Sequence, residues 1–268
     1  MPTIVANGIE QAYEVIGAGP PLIALHGATS SGREDFAAQL PSFGSAFRCF
    51  LPDARGHGGS RWDAAQGLTL DMLVTDVATF ADALGLDTFH LVGFSMGAMT
   101  ALTFAVRHPD RVRTLVVIGI STEREPRASV ARRLMDPARI DRDDATLAAT
   151  LGRRHDAGQG PGAWRRLLPA LAADVRAQPL LAPRDLRRVD APALVVAGDR
   201  DPFCPVDHAW GLARQLVDGR LLIVPDCGHE VPSLSPRLFN EACGSFYRAT
   251  EPSARTRLSR TDPGGSGA

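Results

Sequence analysis

Lysine is absent from this 268-residue chain, so all 29 of its basic side chains are arginine. A lysine Schiff base cannot form, which excludes pyridoxal chemistry, and there is no lysine for a phosphate-binding loop. Cysteine is scarce: Cys49, Cys204, Cys227 and Cys243 are widely scattered, without metal-ligand or redox spacing, and reduced thiols are expected. No apolar run is long enough to span a bilayer and no positive–apolar signal opens the sequence, so the cytoplasm is the expected location. Excess charge is lacking too, because the formal net charge is only −1. The expected partner is a small molecule rather than nucleic acid or membrane. Heavy arginine, alanine, glycine and proline usage without lysine is the codon bias of a GC-rich bacterial genome.

A hydrophobic content of 44% is that of an ordinary soluble globule with one large core. Within it, Gly93-Phe94-Ser95-Met96-Gly97 follows the apolar run Phe89-His90-Leu91-Val92 and precedes a helical pattern through Ala98, Leu102, Ala105 and Val106. A serine between two glycines at a strand-to-helix turn is pushed out above the sheet edge. The same turn sets the Met96 amide at a helix N-terminus, where partial positive charge collects.

A serine hydroxyl is a weak nucleophile that needs a base, and the base needs a carboxylate to fix its tautomer. Downstream, the strand pattern Ala193-Leu194-Val195-Val196-Ala197 runs into Gly198-Asp199-Arg200-Asp201. The next strand pattern, Leu221-Leu222-Ile223-Val224, runs into Asp226-Cys227-Gly228-His229-Glu230. An acid and a histidine therefore stand just past consecutive strands, on the sheet edge where open α/β sheets place their sites. Upstream, Leu22-Ile23-Ala24-Leu25-His26-Gly27-Ala28 is a strand entering a glycine turn that can present the Ala28 amide beside that of Met96.

These landmarks, with Asp53-Ala54-Arg55-Gly56-His57-Gly58-Gly59-Ser60 after the second buried strand, resemble the α/β-hydrolase superfamily from about Ile4 to Tyr247. The resemblance implies a mostly parallel eight-stranded sheet flanked by helices, with a helical cap inserted after the sixth strand. It implies Ser95 as nucleophile, His229 as general base and Asp201 as triad acid, by the spacing Gly198-x-x-Asp201. Ala28 and Met96 would form the oxyanion hole. Asp199 is read as a turn anchor, while Glu123, past the sixth strand, is an alternative acid. His26 is expected to shape the oxyanion turn, and the remaining five histidines to be structural. Glu230 could tune the base or simply be solvated.

Along the chain, Thr3-Ile4-Val5 and Ala12 to Ile16 alternate as an antiparallel hairpin turning at Asn7-Gly8. Leu22 to Leu25, Cys49 to Leu51, Phe89 to Val92, Thr114 to Ile120, Leu194 to Ala197 and Leu221 to Val224 read as strands buried on both faces. Leu70 to Leu84 and Met96 to Val106 have helical periodicity. Residues 1–120 and 190–248 are the expected core, and 121–189 a cap of four short helices separated by breaks at Asp136-Pro137, Gly158 to Gly162 and Pro179. Residues 249–268 turn polar and glycine-rich and are expected to form a disordered tail.

Between Ser121 and Arg188 the cap carries 14 arginines against 9 carboxylates. This surplus is either a solvated helical surface or an attractor for an anionic substrate. Trp164 is the expected substrate-contacting aromatic, although it and Leu134, Met135, Leu147, Leu151, Leu167 and Leu168 could equally be cap packing.

The implied activity is hydrolysis of a small carboxylic ester or lactone through an acyl-enzyme, with no metal and no organic cofactor. Bacterial esterases, enol-lactonases and cofactor-free perhydrolases are the similar members. A serine nucleophile argues against the epoxide hydrolases and haloalkane dehalogenases of this fold, which use aspartate. The alternatives are a carbon–carbon hydrolase of the meta-cleavage type, a biosynthetic thioesterase, and a non-catalytic ligand-binding member. The first usually carries tryptophan right after the base, where this chain has Glu230. The pattern does not specify an oligomeric state.

Overall fold

The strands of this computed structural model, which describes residues 1–250, run β1 (Thr3–Ala6), β2 (Ile9–Ile16), β3 (Pro21–Leu25), β4 (Arg48–Pro52), β5 (Phe89–Phe94), β6 (Val112–Ile118), β7 (Ala193–Gly198) and β8 (Gly219–Val224). They form one eight-stranded sheet in the order β1-β2-β4-β3-β5-β6-β7-β8. The β1–β2 and β2–β4 pairs are antiparallel, and every other pair is parallel. Asn7 and Gly8, at φ 46° and 73°, make the tight turn between β1 and β2. Left-handed conformations at both central residues match the twist of a two-residue hairpin.

Helices cover both faces of the sheet. Between β3 and β4 lie α1 (Gly32–Phe36) and α2 (Leu40–Ala46), neither of which stood out in the sequence. After β4 comes α3 (Leu70–Ala83), and α4 (Met96–Arg107) follows β5. Strand side chains alternate between the two faces, and so does the packing. Leu115, Val117, Val195 and Ala197 join Phe80, Leu102 and Phe104 in one apolar cluster. Val116, Ile118, Leu194 and Val196 join Phe36, Phe43, Phe239 and Phe246 in another on the opposite face. Two buried faces explain why the central strands read as unbroken apolar runs.

Between β6 and β7 the chain forms five helices rather than four: α5 (Arg127–Leu134), α6 (Pro137–Asp143), α7 (Ala145–Gln159), α8 (Trp164–Ala177) and α9 (Pro183–Leu186). Nor are they all short, since α7 has 15 residues and α8 has 14, with Pro169 accommodated inside the latter. The additional break is at Asp144, whose carboxylate accepts the Leu147 amide and so starts α7. In the sequence that cap is hidden in the charged run Asp141-Arg142-Asp143-Asp144.

The chain finishes with α10 (Val206–Gln215), α11 (Val231–Leu234) and α12 (Pro236–Thr250). The start of the expected tail, at 249 and 250, is the last turn of α12; its remainder lies outside the described residues. Among the described residues no helix is long and apolar enough to cross a membrane, and no cluster of histidine, cysteine and carboxylate side chains could hold a metal ion.

Polar ties fix α7 to the core. Arg154 pairs with Glu34 and donates to the Thr29 carbonyl at 2.8 Å, and the Trp62 amide donates to Gln159 Oε1 at 3.2 Å. From α8, Asp174 Oδ1 accepts the Leu70 amide at 3.0 Å.

Candidate active site

Ser95 stands between β5 and α4 at φ 52°, ψ −112°, a conformation that costs a non-glycine residue free energy. Its backbone is over-determined from several sides: the Ser95 amide donates to the Ile118 carbonyl at 2.8 Å, and the Ser95 carbonyl accepts the Ala98 and Met99 amides. The flanking glycines are required by space. A Cβ at Gly97 would lie 2.1 Å from the Leu25 carbonyl oxygen, and one at Gly93 2.3 Å from that of Gly97.

The turn aims the serine at His229. Ser95 Oγ–H donates to His229 Nε2 at 2.9 Å, and His229 Nδ1–H donates to Asp201 Oδ2 at 2.8 Å. A carboxylate at Nδ1 assigns the proton to that nitrogen and leaves Nε2 as the acceptor. The Asp201 side chain is fully buried, whereas that of His229 is 15% exposed. Asp201 Oδ1 is held by the amides of Phe203 at 2.8 Å and Cys204 at 3.2 Å. The imidazole packs between Phe203 and Phe94, with ring centroids 4.3 and 5.0 Å away.

The other candidate acids stand apart from the imidazole. Asp199 Oδ1 accepts the Cys227 amide at 3.3 Å, a turn anchor as expected. Glu123 lines a surface cleft with His208 and Asp207. Glu230 is exposed to solvent.

Opposite the serine, the Gly27–Ala28 turn is clamped by polar contacts. The Ala54 amide donates to His26 Nε2 at 2.8 Å, so His26 carries its proton on Nδ1 and donates it to the Gly27 carbonyl at 2.7 Å. That carbonyl belongs to the peptide unit whose N–H is Ala28's. The Gly27 amide in turn donates to Asp35 Oδ2 at 2.7 Å. Complete burial holds His26 down to about 4, keeping it a neutral one-donor, one-acceptor bridge at neutral pH. Among the described residues neither the Ala28 nor the Met96 amide donates to a protein acceptor. Two free N–H groups beside a serine hydroxyl can receive a developing oxyanion.

Ser95 opens into a narrow cleft lined by Ala28, Met96, Met99, Gly119, Ile120 and Phe203 from the core. The cap contributes Arg127, Ala131, Met135, Leu171, Asp174, Val175 and Gln178. Trp164 is not among them. It is 1% exposed, in an apolar cluster that joins Leu151, Leu167 and Leu168 of the cap to Leu68 and Leu73 of the core, with Arg165 over its ring at 4.4 Å. The expectation that Trp164 contacts substrate is corrected: its apolar area is spent on packing between cap and core. Met135, expected as either packing or wall, lines the cleft.

Two lining residues carry no local signal in the sequence. Gly119, at φ 65°, faces His229, and Arg127 was only one of many cap arginines.

The sequence profile of the alpha/beta hydrolase fold family matches residues 20–157, and that of the TAP-like proteins matches residues 173–247. The chain is 27% identical to the 2-hydroxy-6-oxo-2,4-heptadienoate hydrolase of Pseudomonas putida, covering 92% of this chain and 96% of that one. Among solved structures, the enol-lactonase from Burkholderia xenovorans LB400 superimposes with a TM-score of 0.75 at 22% identity, over 92% of this chain and all of its own, a likeness of fold. An N-acyl homoserine lactone degrading enzyme superimposes with a TM-score of 0.74 at 26% identity, covering 91% of this chain and 100% of that one. This chain belongs to the α/β-hydrolase family.

Proposed function

We propose that this protein is a serine hydrolase of small carboxylic esters or lactones, working through an acyl-enzyme. The observation that carries this reading is the unbroken line Asp201–His229–Ser95, with links of 2.8 and 2.9 Å, facing two unpartnered amides. Ser95 Oγ attacks the carbonyl carbon while its proton passes to His229 Nε2. Asp201, fixed by two amides, holds the imidazolium in place. The carbonyl oxygen takes up the electron pair and lies against the Ala28 and Met96 amides, commonly the largest electrostatic contribution to such a step. His229 then gives its proton to the departing alcohol, and a water activated by the same nitrogen hydrolyses the acyl-serine.

A second reading, carbon–carbon bond hydrolysis, is favoured by the relatedness to the heptadienoate hydrolase. The same three side chains serve it, but the residue after the base is the exposed Glu230 rather than an aromatic that could pack on a dienoate. Ester and lactone hydrolysis requires nothing beyond the groups described.

The test is a substrate panel of phenyl esters, aliphatic lactones, acyl thioesters and 2-hydroxy-6-oxo-dienoates, run on the wild type and on Ser95→Ala. Ser95-dependent turnover highest for an ester or lactone supports the first reading. Turnover highest for the dienoates replaces it with the second.

A further inference from the structure

Arg127 differs from the other cap arginines whose ion pairs are visible. Arg142 and Arg165 stand at the surface, and each forks a carboxylate through its Nε and Nη2, on Asp143 and Asp141 respectively. In the core, Arg55 uses the same edge on Asp76, at 2.7 and 2.5 Å. Arg127 is 7% exposed, lies on the wall of the cleft that contains Ser95, and has that edge empty: its Nε and Nη2 are shielded from water and have no hydrogen-bond partner.

Its surroundings explain why no protein carboxylate fills the edge. Arg127 Nη1 donates to Gln178 Oε1 at 2.6 Å, and Gln178 Nε2 donates to Asp174 Oδ2 at 2.6 Å. Asp174 Oδ1 is taken by the Leu70 amide. The nearest acid is thus tied off behind a glutamine, which also fixes the guanidinium plane. Burial lowers the Arg127 guanidinium to about 10, which leaves it charged at neutral pH. A charged, planar guanidinium with two unpartnered donors is matched by a carboxylate.

We infer that the Nε/Nη2 edge of Arg127 receives a carboxylate carried on the acyl part of the substrate, so that the preferred substrates are monoanionic acyl compounds whose acid group is remote from the scissile carbonyl. This specificity rests on the serine-hydrolase reading. The surplus of arginine on the cap surface supplies at most long-range attraction, whereas Arg127 supplies the contact.

The experiment compares phenyl hydrogen glutarate, adipate and pimelate with their neutral methyl phenyl diesters, following phenol release. At the best chain length the wild type should favour the monoanion in kcat/KM by at least tenfold. The preference should survive 0.5 M sodium chloride, which removes surface steering but not a buried fork. Arg127→Gln and Arg127→Lys should each reduce the monoanion-to-neutral ratio by tenfold or more, Lys included, because a point charge cannot fork. On wild-type enzyme, free adipate should compete with the neutral ester and adipamide should not. Equal kcat/KM for the two esters, or a preference that persists in both variants, overturns the assignment. A preference abolished by salt alone also overturns it and returns the effect to the surface arginines. If no ester is turned over, the hydrolase reading fails by itself. Adipate binding is then read from the thermal midpoint: a rise in wild type that Arg127→Gln loses supports the carboxylate site, and no rise in wild type overturns it.

Discussion

Gly119 and His229 compete for one space: a Cβ on Gly119 would lie 2.8 Å from His229 Cε1 and 2.9 Å from Nδ1. The glycine also sits at φ 65°, where an L side chain costs about 1–2 kcal/mol. Gly119→Ala should therefore push the imidazole off the line joining Asp201 to Ser95. Ester kcat should drop by roughly 100-fold, since displacements near 1 Å cost about that much. Steady-state kinetics and thermal unfolding check it together. An unchanged kcat would mean that His229 has more freedom than this contact allows.

Asp201→Asn should be the most damaging of three acid replacements, by roughly 10⁴-fold in kcat, because an amide can present its NH2 to Nδ1 and invert the tautomer. Asp199→Asn should lower stability through the Cys227 turn while costing little activity, and Glu123→Gln should do less still. Parallel kinetics on the three variants decide the matter. If Glu123→Gln were the worst, the acid would come from beyond β6.

His26 touches the oxyanion turn without facing the serine, so its effect should fall on kcat more than on KM. His26→Ala frees the Gly27 carbonyl and lets the Ala28 N–H rotate away from the oxyanion position. The loss should approach that of one oxyanion donor, about 10²–10³-fold in kcat. An equal loss spread over KM would indicate collapse of the cleft instead.

Three buried histidines work against the fold in acid. His26, His57 and His155 follow one another with ring centroids 4.9 and 5.3 Å apart. Burial, foremost among the causes, lowers His26 and His57 from 6.5 to about 4 and His155 to about 2. As pH falls below 6.5 the unfolded chain binds protons that the folded chain refuses, so stability declines, down to about 4 for the first two and about 2 for the third. Buried Asp35, Asp53, Asp76 and Asp174, all raised by burial, act in the opposite direction because the folded state neutralises them first. A variant isolates the histidine share. Between pH 6 and 4.5, urea unfolding of wild type should lose about 1.4 kcal/mol per pH unit more than His155→Gln. Parallel slopes would place the acid sensitivity elsewhere.

What the sequence reveals of this molecule divides along the range of the interactions involved. Ser95, Asp201 and His229 are legible because each sits at a strand end, where local pattern and chain order suffice. The sheet is legible because burial on both faces leaves unbroken apolar runs such as Leu115 to Ile118. Gly119 is not, since its need for a missing Cβ comes from a histidine that arrives from another strand. Arg127 is hidden among the cap arginines because burial and the Gln178–Asp174 tie are tertiary facts. Trp164 is ambiguous in the sequence for the converse reason: a large aromatic in a cap serves packing or substrate equally well until its neighbours are known. The split of α6 from α7 is hidden because the capping Asp144 is one carboxylate in an acidic run.

Every step proposed for the site depends on Ser95 being a nucleophile activated by His229. Intact mass of the protein after a short exposure to a fluorophosphonate, followed by peptide mapping, tests that dependence. One phosphonyl adduct on Ser95 is expected in the wild type, none in Ser95→Ala, and labelling slowed by at least 100-fold in His229→Ala, which is otherwise folded. Absence of an adduct on Ser95 in folded wild-type protein, or labelling that is as fast without His229, would contradict the account.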